Sequence, residues 1–99
     1  MMKRIDVVPL VHRLEDIAWL AIENAVCREG VTLGEIATAA AALNAASEFR
    51  RRCGAMGPEL EAIHEEYRVC LSLALMKIDG DDLDGVQAVA DLIYPRVKP

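Results

Sequence analysis

The chain has 99 residues, 54% of them hydrophobic and only 4% aromatic, with 11 basic against 16 acidic residues and a formal net charge of −5. That length suits one compact domain, and a domain this small buries only about 65% of the surface its unfolded chain exposes, so a second copy or a partner would add to a marginal core. The acidic balance speaks against a binder of the phosphate backbone, because that affinity comes from Lys and Arg releasing counterions.

Cys27, Cys53 and Cys70 lie far apart and form no Cys-x-x-Cys pair, so neither a disulfide framework nor a zinc knuckle is expected, and the odd count fits a reducing cytosol. Lys3 and Arg4 resemble the start of a signal peptide, but Asp6, Pro9, His12 and Arg13 interrupt any apolar run that would follow. No stretch approaches 18 uncharged apolar residues either. The expectation is a cytoplasmic protein without a membrane span and without a cofactor.

The first predicted helix covers residues 9–29. Pro9 suits the opening helical position and Gly30 can end the helix in the left-handed conformation. Its stripe is Leu10, Leu14, Ile17, Ala18, Ala21 and Ala25. Trp19 lies away from that stripe, beside Ile22 and Val26, and these three form a second apolar face.

The second predicted helix covers 32–53. Thr32 and Glu35 have capping-box spacing, and Val31 and Ile36 can close a hydrophobic staple around them. Arg50, Arg51 and Arg52 stand where cations favour a helix C-terminus. Leu33, Ile36, Ala40 and Leu43 mark one face early; Ala42, Ala46, Phe49 and Cys53 mark another late.

The third predicted helix covers 58–78, with Pro58 at its opening and Glu59, Glu61, Glu65 and Glu66 weighting its first half as the helix dipole favours. Leu60, Ile63, His64, Tyr67, Leu71, Ala74 and Ile78 make one stripe. At roughly 100° per residue, Val69, Leu73 and Met76 point to the opposite side. The fourth helix, 82–94, takes Asp81 or Asp82 as its N-cap, carries Leu83, Val86, Val89, Ala90 and Ile93 on one face, and ends before Pro95. Short connections between these segments predict antiparallel neighbours, so the expected architecture is all-α: a compact four-helix bundle-like domain spanning 1–99.

Chemistry is sparse. The run Asp79, Asp81, Asp82 and Asp84 invites a calcium reading, but a loop beginning at Asp79 has Asp84 where glycine is needed and Ala90 where the bidentate Glu belongs, so capping of the fourth helix is the default. His64 sits on the third helix's core stripe with no second ligand at a helical spacing, and reads as a satisfied structural histidine. The cysteines fall late in or inside helices, away from the dipole that lowers a thiol pKa, with Cys53 beside the arginines the least unsuited to reactivity. Ser47 and Ser72 are mid-helix, no Gly-x-Ser-x-Gly turn exists, and Gly54 and Gly57 open no phosphate loop. A small metal-dependent enzyme has the least support.

The segment Val31-Thr32-Leu33-Gly34-Glu35-Ile36-Ala37-Thr38-Ala39-Ala40 resembles the first helix of the helix-turn-helix in TetR-type repressors, which often reads Thr-x-x-x-Ile-Ala-x-x-Ala. The resemblance implies a DNA-binding regulator in which Arg50, Arg51 and Arg52 touch phosphates. Where that family has a turn glycine and a recognition helix, this chain continues with Ala41-Ala42-Leu43-Asn44.

The leading expectation is therefore a non-enzymatic protein-interaction module, a homodimeric regulator or inhibitor of the anti-activator type. Its interface residues would be Trp19, Ile22, Val26, Phe49, Val69, Leu73 and Met76. Glu59, Glu61, Glu65, Glu66, Asp81 and Asp82 would steer it toward a basic partner. The open question is whether the fourth helix, a second copy or a target covers the second faces.

Overall fold

The computed structural model describes residues 8–27, 31–78 and 82–95, and these form an all-α, four-helix bundle-like fold. The helices are α1 (Val8–Cys27), α2 (Leu33–Arg52), α3 (Pro58–Met76) and α4 (Leu83–Ile93). None is long and apolar enough to cross a membrane. α2 is the hub: it packs on each of the other three, most extensively on α1, while α1 and α4 do not meet.

The punctuation acts as the residue types require. Thr32 Oγ1 accepts from the Glu35 backbone N–H at 3.1 Å, and Val31 packs against the core as the staple demands. The Arg50–Arg52 end of α2 closes through Gly54, which takes a left-handed φ of 67° that a side chain would resist. Asp82 caps α4 by accepting from Gly85 N–H at 2.9 Å. The rest of the acidic turn, including Asp79 and Asp81, lies outside the described residues, as do the side chain of Val26 and Gly30.

α2 can be the hub because its inner faces are lined by small residues. Ala39, Ala40 and Ala46 are essentially fully buried and let neighbouring backbones approach, while Ile36 and Leu43 fill the space between them. Leu71 and Leu75 from α3 and Val89 and Ile93 from α4 complete the same cluster. Asn44 Nδ2 donates to the Leu92 carbonyl at 2.6 Å, pinning the end of α4 to α2.

One helix, α1, is rotated from its expected face. On α1, Val11 and Ile22 are buried together with Ala18 and Ala21 of the expected stripe, whereas Leu10 and Ile17 are exposed. α3 keeps its expected stripe: His64, Leu71 and Ala74 are buried and Tyr67 and Ile78 pack against the core, with Leu75 joining them and Ile63 exposed. The stripe of α4 is also shorter than expected, because Leu83 stands in solvent. The face that α1 turns inward also carries Glu15, which with His64 and Arg68 of α3 converges on α2, while Leu10 and Ile17 face outward.

Candidate functional site

The polar residues that α1, α2 and α3 bring together form one chain of hydrogen bonds. Glu15 accepts two from Arg50, Nε to Oε2 at 2.8 Å and Nη2 to Oε1 at 2.7 Å, in the forked geometry that matches a guanidinium to a carboxylate. His64 Nε2 lies 2.5 Å from Glu15 Oε2, and His64 Nδ1 lies 2.8 Å from Ser47 Oγ. Arg68 Nη2 donates to Ser47 Oγ at 3.2 Å.

The Glu15 carboxylate can only accept, so His64 Nε2 carries the hydrogen between them; Ser47 Oγ accepts from Arg68 and shares a further hydrogen bond with His64 Nδ1. Every member is satisfied; among the described residues no buried side-chain N or O lacks a partner. Burial pushes the Glu15 carboxyl up, but hydrogen bonds from Arg50 and His64 and the adjacent guanidinium charge outweigh it and hold the carboxyl below the ordinary carboxylate value.

Tyr67 roofs the cluster. Its ring stacks along His64 with centroids 6.5 Å apart and meets Trp19 at 5.9 Å, tilted by 35°. Burial, and then the negative charges of Glu15, Asp16 and Glu66, push its phenol up, so it stays neutral.

Ser47, His64 and Glu15 have the residue types of a nucleophile, base and acid. Ser47 and His64 are each only 1% exposed, however, and the donor beside Ser47 Oγ is the long guanidinium of Arg68 rather than a pair of backbone amides. His64 closes the floor of a cleft of about 430 Å3 whose walls include Arg51, Glu61 and Arg68; Ser47 is not in its lining. In this arrangement the cluster acts as a clasp that fixes how α1, α2 and α3 meet. His64 is the satisfied structural histidine expected, with partners that spacing within one helix does not reveal. Glu15, Ser47 and Arg68 were not expected at a site. The trace in the sequence is faint: Glu15 lies four residues after Val11 and seven before Ile22, both buried.

The clasp and the course of α2 both bear on the DNA-contact expectation. Arg50 is not available to a phosphate, since it is paired with Glu15 and its side chain is 15% exposed. α2 continues unbroken through Ala41-Ala42-Leu43-Asn44, so it contains no helix-turn-helix turn. Arg51 is exposed, and Arg52 is paired with Glu48 at 2.9 Å on the surface. Among the described residues no group of three or more His, Cys, Asp or Glu is placed to hold a metal ion. Cys53 is exposed at the C-cap of α2, and Cys70 is partly buried.

The expected interface residues divide. Ile22 is buried in the core of the single chain, because α1 is rotated toward Glu15, and so does not belong to an exposed face. Phe49 is partly buried. Trp19 is 48% exposed, Val69 46%, Leu73 54% and Met76 80%. α4 packs against α3 through the core, with the Tyr94 hydroxyl donating to Glu65 at 2.8 Å, and Val69, Leu73 and Met76 remain exposed. A second apolar surface, not expected from the sequence, follows from the rotation of α1: Ile17, Leu20 and Ala21 form one wall of an open groove of about 530 Å3, and Gly34, Glu35 and Thr38 of α2 form the other.

No protein-family model, curated protein or solved structure matches this chain.

Proposed function

We propose that this protein is a non-enzymatic protein-interaction module, a homodimeric regulator or inhibitor that acts by binding another protein. The observation that carries the reading is the exposure of large apolar side chains on two separate surfaces, the outer face of α3 and the α1–α2 groove, after the fourth helix has taken its place. Scattered apolar residues are ordinary on a protein surface; grouped ones favour contact with another macromolecule.

The two surfaces differ in charge, and this supports different occupants. The groove has a single charged residue in its lining, Glu35, so a second copy meets little like-charge repulsion there. The outer face of α3 carries Glu59, Glu65 and Glu66, which disfavours a second copy of an acidic chain. Self-pairing is therefore assigned to the groove, with Leu20, 56% exposed, at its centre.

Light scattering coupled to size exclusion tests this directly. The expected result is a dimer at micromolar concentration that Leu20→Glu converts to a monomer with unchanged helix content. A wild-type chain that is monomeric throughout overturns the self-pairing. A dimer that survives Leu20→Glu removes it from the groove.

A further inference from the structure

We infer that the outer face of α3 is a docking surface for a cationic amphipathic helix of another protein. The inference rests on the chain being a binding module and not on its dimerisation. Val69, Leu73 and Met76 recur at i, i+4 and i+7 and fall within an arc of about 60° of the helix, the anchor spacing used when one helix lies along another. All three are exposed, and no described helix covers them.

Charge decides the occupant. About one turn before Val69 on the same side stand Glu65 and Glu66, and nearly three turns before it Glu59, and none of them is ion-paired with a described residue. Glu65 is held in place by the Tyr94 hydroxyl. Among the described residues of α3 and its C-cap, Lys77 is the one cation that borders this arc, because Arg68 turns inward to Ser47. A second copy carries a net charge of −5 and an identical acidic turn, so it meets repulsion here, whereas a helix rich in Lys or Arg meets attraction. The face is polar at one end and bare at the other. Its occupant has the matching asymmetry: cations at the end that lies over Glu59 to Glu66, and an apolar seam over Leu73 and Met76. At 1.5 Å per residue the face is about 27 Å long, which sets the occupant at roughly five helical turns.

The test uses the full chain and two fluorescein-labelled synthetic helices of about 18 residues. Both carry the same leucine seam; one has Lys and Arg at its polar positions and the other Glu. Fluorescence anisotropy should show the cationic helix binding at least tenfold tighter than the anionic one. That binding should weaken at least tenfold on Leu73→Ser with Met76→Ser, and again on Glu59→Lys with Glu66→Lys, the latter with a flatter salt dependence. Met76→Ser alone, at the most exposed position, serves if the double variant loses helix content. Equal binding of both helices, no binding of either, or cationic binding untouched by the serine variants each overturns the proposal. If Leu73→Ser turns a wild-type dimer into a monomer by light scattering, the occupant is a second copy and the proposal fails. The mass measurement alone decides dimerisation, so the two readings fail separately.

Discussion

Replacing Glu15 by glutamine isolates what the clasp contributes, because the amide keeps the size of the side chain and removes its charge. In the native chain Glu15 accepts two hydrogen bonds from Arg50 and one from His64. In the Glu15→Gln variant the Arg50 bonds lose their ionic character, and one terminal atom becomes an N–H donor facing another donor. A hydrogen bond to a charged group contributes about 1.5–3 kcal/mol and a neutral one about 1. The side chains of the pair retain 15% and 16% exposure, so water relieves part of the loss. The expected cost is about 2 kcal/mol, a large share of the stability of a domain this size. In urea that is a midpoint lower by about 1 M.

The pH dependence makes the reasoning easier to refute. The Glu15 carboxyl is held below its ordinary value in the folded chain, so as pH falls the unfolded chain takes up the proton first. The stabilisation is complete above the ordinary carboxylate value and is lost as pH falls through the lowered folded one. The variant has no proton to take up at this position. Urea unfolding of both proteins should therefore give a gap near about 2 kcal/mol at neutral pH that narrows in the acid range. A gap that is constant with pH, or no gap at all, would show that the carboxylate charge contributes nothing.

Two further outcomes test the helix boundaries. Thr32→Ala removes the oxygen that accepts from Glu35 N–H and should cost about 1 kcal/mol, read as a fall of roughly 4–8 °C in the thermal midpoint. The two glycines Gly34 and Gly54 should respond in opposite directions to alanine. Gly34 is helical and an added Cβ there meets only Thr32 Oγ1 at an ordinary 3.9 Å, so Gly34→Ala should stabilise by about 0.5 kcal/mol. Gly54 has open space around it but a φ of 67°, so Gly54→Ala should destabilise by about 1 kcal/mol through backbone strain alone. Denaturant midpoints that move the same way for both would refute the assignment.

What was legible in the sequence is what a single helix decides for itself. Thr32, Pro58, Asp82 and the apolar period fix where helices begin and which residues share a side, because capping and periodicity act within a few residues. The uncovered second face of α3 was legible for the same reason: Val69, Leu73 and Met76 lie opposite Leu71 and Ala74 however the helix is packed. The tertiary structure alone decided the azimuth of α1. Glu15 and His64 are 49 positions apart and Ser47 and His64 are 17 apart, and nothing in local spacing says that they meet. Meeting in a dry interior satisfies them, and in that arrangement α1 buries Ile22 and Arg50 is paired with Glu15. The same rotation leaves Ile17 and Leu20 in solvent. Where α4 lies was also a tertiary decision, since its short apolar stripe could cover one side of α3 only, and packing against α2 and Leu75 chose the side away from Met76.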